Sequence, residues 1–250
     1  MDYITKGEIG MMKEVFIIFK NNFRKLLIYL VLSIIITLIT VNFDLPLIKS
    51  SEIDLTFDFK LLLNLNFLKI IGISLIEIYI TAYGLIIAKK VTLDNSVDQK
   101  ESFSEALSYY PRLLIINLIF TGVILIFTLL LIELIKVSPK NMTLLMFSSI
   151  TILVGFAVFS IFIRVTESYI VYYDEGIGFS FKQGIKIGKN YFLKILGLLI
   201  IGSILGRIIG GDIFNVNTIT LTFGTLITVL YSIFLTLYIM NLCKVWGKVN

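Results

Sequence analysis

Six apolar runs, each about as long as a bilayer is thick, occupy most of this chain and leave it few ways to fold. They are roughly Leu26–Phe43, Phe67–Ala88, Leu113–Ile135, Leu144–Ile163, Leu193–Ile209 and Ile219–Leu242. A helix needs about 20 predominantly apolar residues to cross the hydrocarbon core. Only 16% of the 250 residues are charged, against about 25% in a soluble domain. What remains between the runs is too short to hold a separate soluble catalytic domain.

The runs come in pairs, and the same lead-in precedes each pair. The three starts are Lys20-Asn21-Asn22-Phe23-Arg24-Lys25, Ser108-Tyr109-Tyr110-Pro111-Arg112 and Lys189-Asn190-Tyr191-Phe192-Leu193-Lys194. Each places an aromatic and a cation just ahead of the apolar segment. Upstream of the first, Ile9, Met12, Val15, Phe16, Phe19, Phe23 and Leu26 recur in steps of three and four, which makes one helical stripe. Upstream of the second, Ser102 and Glu105 have capping-box spacing, and Pro111 is expected to mark the turn into the third run. The third, Ser180-Phe181-Lys182-Gln183-Gly184-Ile185, matches Ser102 to Leu107 in kind at most positions. The pattern predicts an all-α polytopic membrane protein with six transmembrane helices in three hairpins. Each hairpin is led by an amphipathic helix lying on the cytoplasmic side. Residues 1–250 form one membrane domain, with repeat units at about 9–90, 101–165 and 179–244.

Loops rich in Lys and Arg stay in the cytoplasm. Sixteen of the 22 basic residues fall on one side of this pattern, in both terminal segments and the two loops on the same side, and six fall on the other. Both termini are therefore expected in the cytoplasm. The first 25 residues are polar and basic, with no small-residue cleavage site after the apolar run, so the first span is expected to remain as a helix. The net charge of +5 is then concentrated on the inner face, where it meets anionic headgroups. That topology leaves nothing to suggest nucleic-acid binding.

The chain has no His and a single Cys, Cys243. Intrachain disulfides, His metal sites and Ser-His-Asp triads are thereby excluded. No P-loop, no Gly-x-Ser-x-Gly and no paired carboxylates within one span are found, so no enzyme, metal or cofactor is expected. Cys243, at the end of the last run, reads as a small buried hydrophobe.

Three groups of residues stand out. Glu77 sits near the centre of the second run, where a carboxylate must face the bundle interior, a partner or a wet cavity. Tyr79, Thr81 and Tyr83 add hydroxyls on the same helix, and the four form a candidate intramembrane polar site. Lys182, Lys186 and Lys189, at i, i+4 and i+7, make a basic face for lipid headgroups or, more simply, for orienting the spans. Gly202, Gly206 and Gly210 repeat the G-x-x-x-G spacing that lets membrane helices approach closely, within the bundle or at a homodimer face. Arg164 and Glu167, at i, i+3, are read as a pair or as snorkelling groups at the inner end of the fourth run. The Tyr169–Tyr173 stretch that follows is read as an interfacial belt. Ile53 to Lys60 and, more weakly, Asn217 to Thr222 alternate with period two, as paired extended segments or frayed helix starts would.

The threefold plan and the degenerate Ser-Phe starts at Ser102 to Leu107 and Ser180 to Ile185 resemble a broad group of bacterial six-span membrane proteins. The group includes the membrane domain of some glycerophosphodiester phosphodiesterases and stand-alone relatives of unknown function. The resemblance implies the six-span fold and brings no site residues, and the soluble phosphodiesterase domain has no counterpart here. The expected function is a non-enzymatic accessory, scaffold or lipid-interacting component of a bacterial membrane system. The alternative is a transporter or permease subunit with Glu77 in its pathway. Expected partners are membrane lipids and either a membrane-protein partner or a second copy. The abundance of Ile, Lys and Asn fits an AT-rich bacterial genome, and hence the bacterial cytoplasmic membrane. The charge asymmetry makes a direct prediction. A fluorescent protein fused to the C-terminus will fluoresce, and alkaline phosphatase fused there will be inactive; the reverse pattern contradicts the orientation.

Overall fold

The computed structural model describes residues 2–42, 65–137, 142–210 and 218–249. Among these, all regular structure is α-helix: α1 (Asp2–Asn21), α2 (Phe23–Asn42), α3 (Leu65–Thr92), α4 (Gln99–Val137), α5 (Met142–Tyr173), α6 (Ile177–Asn190), α7 (Phe192–Gly210) and α8 (Thr218–Val249). Five helices are long and apolar enough to cross a membrane: α2, α3, α4, α5 and α8. The pair α6 and α7, bent by 83° at Tyr191, supplies a sixth if counted as one broken span. Much of their surface is apolar and exposed, as at Leu118, Ile126, Phe147 and Leu153. Such surface suits lipid and would be costly in water.

Two of the three lead-ins are separate helices and one is not. The chain breaks at Asn22, between α1 and α2, and at Tyr191, between α6 and α7. At Pro111, where a turn was expected, α4 runs on without a break. Proline removes one backbone donor, the one that would reach the carbonyl four residues earlier. Here that residue is Leu107, which is exposed, so the freed carbonyl has open surface beside it. At 39 residues and 1.5 Å per residue, α4 is about 58 Å long, well beyond the ~30 Å of a hydrocarbon core.

The buried faces of the lead-ins follow a common period. In α4 the buried positions are Ser102, Ala106, Tyr109 and Leu113, and in α6 they are Ser180, Gly184, Ile187 and Gly188. In α1, Val15 is fully buried, with Met11 and Ile18 packed on the same core. The stripe read from the sequence differs: Met12 and Phe16 are exposed, so α1 carries a second apolar face turned away from the protein. The Tyr169–Tyr173 stretch is also packed inside rather than forming a surface belt. Tyr169 is 7% exposed, its ring lies 4.5 Å from that of Tyr173, and the Tyr173 hydroxyl donates to the Cys243 carbonyl (2.8 Å). Cys243 itself is fully buried. The alternating segment Ile53 to Lys60 lies outside the described residues, and Thr218 to Thr222 form the start of α8.

One end of the bundle is tied by polar contacts between helix ends. Carbonyls in the last turn of a helix lack intrahelical partners, and lysines are suited to fill them. Lys89 of α3 donates to the Val171 carbonyl near the end of α5 (2.8 Å). Lys244 of α8 donates to the Thr92 carbonyl that ends α3 (3.0 Å). Gln99 donates to the Lys25 carbonyl of α2 (3.1 Å) and accepts from the Tyr83 hydroxyl. Lys90 pairs with Glu105 (3.0 Å) and Glu101 (3.5 Å). Arg112 pairs with Asp174 (2.7 Å) and lies over the Tyr109 ring (4.8 Å). Its hydrogen bond holds the Asp174 carboxyl below the usual range. The contact is present above the ordinary carboxylate pKa and is lost as pH falls through the lowered value. The pair is largely exposed, so its contribution is small.

Two aspartates, Asp94 and Asp174, follow α3 and α5 in the left-handed conformation, with φ of 57° and 56°. They end their helices as a C-terminal glycine would. The chain then turns back into the Ser102 and Ser180 lead-ins.

Close approach fixes α6 on α5. A Cβ added to Gly184 would lie 2.2 Å from the Thr166 hydroxyl oxygen and 3.0 Å from its backbone. No side chain can be accommodated there unless the two helices separate. Gly197 of α7, by contrast, has nothing within 4 Å. Gly184→Ala is therefore expected to destabilise the protein by about 1–3 kcal/mol through overpacking. Gly197→Ala should be neutral or slightly stabilising, because alanine favours helix. Reversible unfolding in mixed micelles measures both, and equal behaviour of the two variants contradicts this packing.

Candidate functional site

Toward the tied end the helices are closely packed, with runs such as Ala82–Ala88 in α3, Val165–Val171 in α5 and Leu237–Cys243 in α8 buried. Away from it they separate around a cavity of about 820 Å³. Six helices line it: α2, α3, α4, α5, α7 and α8. The volume is of the order of a small-molecule pocket, about 300–1,000 Å³, and far more than a bare ion needs.

Helix α5 supplies the most distinctive wall. Ala157, Ser160, Arg164 and Glu167 follow one another at steps of three and four, so one face of an apolar helix is small, polar and charged. Helix α3 brings Ser74, Glu77 and Thr81, again on one face. Asn117 and Thr121 come from α4, Ser203 from α7, Ser232 and Thr236 from α8, and Tyr29 from α2. The apolar part of the lining is concentrated on α5 and α7, at Leu153, Phe156, Leu196, Leu199 and Ile200.

The charges are stacked in depth. A rise of 1.5 Å per residue puts Glu167 about 6 Å and Arg164 about 10 Å from Val171 along α5, and Glu77 about 18 Å from Lys89 along α3, the two helices being joined by the Lys89–Val171 hydrogen bond. The order into the cavity is thus acid, base, acid. Glu167 is 8% exposed and accepts a hydrogen bond from the Asn117 amide (2.7 Å). The same amide nitrogen also donates to the Leu113 carbonyl (3.0 Å), which fixes its direction. Arg164 and Glu77 are exposed to the cavity, and neither makes an ion pair or hydrogen bond among the described residues.

Each group singled out in the sequence can now be placed. Glu77 and Thr81 face the cavity together. Tyr79 and Tyr83 do not: their hydroxyls donate to the Phe103 carbonyl (2.9 Å) and to Gln99, and the Tyr83 ring stacks on Phe103 at 4.1 Å. They join α3 to the first turns of α4. Lys182, Lys186 and Lys189 are all exposed on α6. Gly202 packs against the Tyr231 ring of α8, whose hydroxyl donates to the Leu198 carbonyl (2.6 Å). The surroundings of Gly206 and Gly210 lie outside the described residues.

Arg164 and Glu167 do not pair with each other among the described residues; both line the central cavity, and α5 continues beyond them to Tyr173 and buries Val165, Ile170 and Val171. The spacing of Ala157, Ser160, Arg164 and Glu167 was the available signal.

No protein-family model, curated protein sequence or solved structure matches this chain.

The Asn117–Glu167 contact has a measurable consequence. Asn117→Leu leaves a buried carboxylate without its donor, at an expected cost of about 1–3 kcal/mol. Combined with Glu167→Leu, the loss should be less than additive. A double-mutant cycle with a coupling of about 1 kcal/mol supports the contact, and strict additivity contradicts it.

Proposed function

We propose that the protein is a transporter or permease component that takes a polar or amphiphilic solute into the central cavity. The observation that carries this reading is that one cavity, lined by six helices, collects Glu77, Arg164 and Glu167. A charged side chain at the centre of a spanning helix costs about 2.5–3.5 kcal/mol on insertion scales. Glu77 lies near the centre of its run, and Arg164 and Glu167, nearer the tied end, cost less each but share the same cavity. Such a group is tenable where water or a ligand solvates it, and intramembrane charges of this kind commonly line solute pathways.

In this reading the chain is a multi-pass protein of the bacterial cytoplasmic membrane. Its six transmembrane helices form three hairpins, each led by a cytoplasmic-side amphipathic stretch, and both termini are cytoplasmic. The tied end then faces the cytoplasm and the cavity opens away from it. The six-span plan keeps its resemblance to the membrane domain of glycerophosphodiester phosphodiesterases. A second reading, as a lipid-interacting accessory or scaffold, is favoured by the exposed Lys182, Lys186 and Lys189 on α6. It is compatible with the first, since such a face suits anionic headgroups.

Aqueous access tests the proposal. The native Cys243 is buried and serves as an internal unreactive control. Ser160→Cys is expected to react with a membrane-impermeant thiol reagent added from outside the cell. In inverted vesicles it should also react, more slowly, as the cavity becomes accessible from the other side. A Ser160→Cys protein inert from both sides contradicts the reading. Reaction from the outside alone would leave a binding protein without translocation.

A further inference from the structure

The order of charges in the cavity goes further and specifies a ligand class. We infer that the cavity accepts a phosphoethanolamine-type zwitterion, presented as the headgroup of a lipid. Arg164 would hold the phosphate, Glu167 the ammonium, and the apolar wall of α5 and α7 the acyl chains. This rests on the reading of the cavity as a ligand pathway.

Three observations converge. First, Arg164 is a guanidinium inside a largely apolar bundle with no ion-pair partner among the described residues, and it lines the cavity. Guanidinium is suited to bidentate recognition of phosphate. Second, Glu167 lies one turn closer to the closed end, three residues along the same helix face. Side chains at that spacing are neighbours, about 5–6 Å apart at Cβ. Their separation suits an acid and an ammonium joined by two carbons. A ligand that enters headgroup first meets them in the matching order, with its terminal ammonium deepest and its phosphate above.

Asn117 occupies one oxygen of Glu167, Oε1, and leaves Oε2 without a partner among the described residues. The third observation is the wall toward the open end. It is apolar, and Leu153 and Ile200 within it are 71% and 50% exposed, so this wall reaches the outer surface of the bundle, where acyl chains could follow it. A small polar solute makes no use of such a wall, whereas an amphiphile does.

Glu77, on α3, lies further from the tied end than Arg164, on the acyl side of the phosphate. Selection for the ammonium therefore rests on attraction at Glu167.

The test measures binding by the purified full-length protein with native mass spectrometry in a delipidating detergent. The added probes are dioleoylphosphatidylethanolamine, dioleoylphosphatidylglycerol and dioleoylphosphatidylcholine. The wild-type protein should retain the ethanolamine lipid over the glycerol lipid by about tenfold or more, roughly the effect of one good charged contact. The choline lipid should also be weak, because its methylated ammonium cannot donate hydrogen bonds to Glu167. That comparison needs no variant, so it stands even if a substitution impairs folding. Glu167→Gln should abolish the preference and leave the glycerol lipid unchanged, and Arg164→Gln should weaken both.

Equal retention of the three lipids by the wild-type protein overturns the inference, as does an undiminished preference in Glu167→Gln. Free phosphoethanolamine separates the two sources of the headgroup. Failure to displace the bound lipid supports the lipid as ligand, and displacement at comparable concentration overturns the role of the acyl chains. Failure here with Ser160→Cys still reactive from both sides sinks the ligand assignment alone. Selective binding with no such reactivity sinks transport alone.

Discussion

An arginine inside a bundle of apolar helices has to be solvated by something, and much of this structure can be understood from that requirement. Arg164 has no carboxylate within ion-pair distance among the described residues, yet it shares one cavity with Glu77 and Glu167. Its charge cannot be removed, because guanidinium stays protonated in proteins. The protein meets the requirement by separating its helices around the group and lining the space with hydroxyls from Ser74, Thr81, Ser160, Ser203, Ser232 and Thr236. A space of that kind weakens the bundle, since it removes packing between six helices.

The compensation lies at the other end. Lysine side chains on helix-end carbonyls, Gly184 against the Thr166 backbone and stacked Tyr83 and Phe103 hold the helices where the cavity stops. Each contact is modest on its own. Together with the Gln99 bond to the Lys25 carbonyl they join α2, α3, α4, α5, α6 and α8 near one end of the cavity.

The all-helical fold with five or six membrane-length apolar helices was legible in the sequence, because bilayer thickness imposes a length that any run of apolar residues reveals. Glu77 was legible for the same reason, as a break in such a run. Arg164 and Glu167 were not, and the cause is physical. A hydropathy profile falls at two charges three residues apart, and the fourth span therefore appeared to end at Ile163. In the folded chain Val165, Ile170 and Val171 continue the buried face of the same helix, while the charged face turns into the cavity. Sequence patterning shows how apolar a segment is, but not whether its polar face meets water outside the bundle or within it. Pro111 misled for a related reason. Its missing donor costs less where the freed carbonyl lies at an exposed position, as at Leu107, and the helix continues through it. Tyr79 and Tyr83 share a helix with Glu77, but their partners on α4 could not be inferred before the packing was known.

The most direct test of a wet cavity inside the bundle compares two neighbouring residues of α5. Val154 is exposed on the outer surface of the helix, and Ala157, less than one turn further on, lines the cavity. Nitroxide labels at Val154→Cys and Ala157→Cys sit at nearly the same depth, so a difference between them reports their surroundings. Power saturation in lipid bilayers should show oxygen as the dominant relaxant at 154 and the water-soluble nickel chelate as the dominant relaxant at 157. Oxygen dominating equally at both positions would mean that the space around Arg164 is filled by lipid or closed, and would contradict the account.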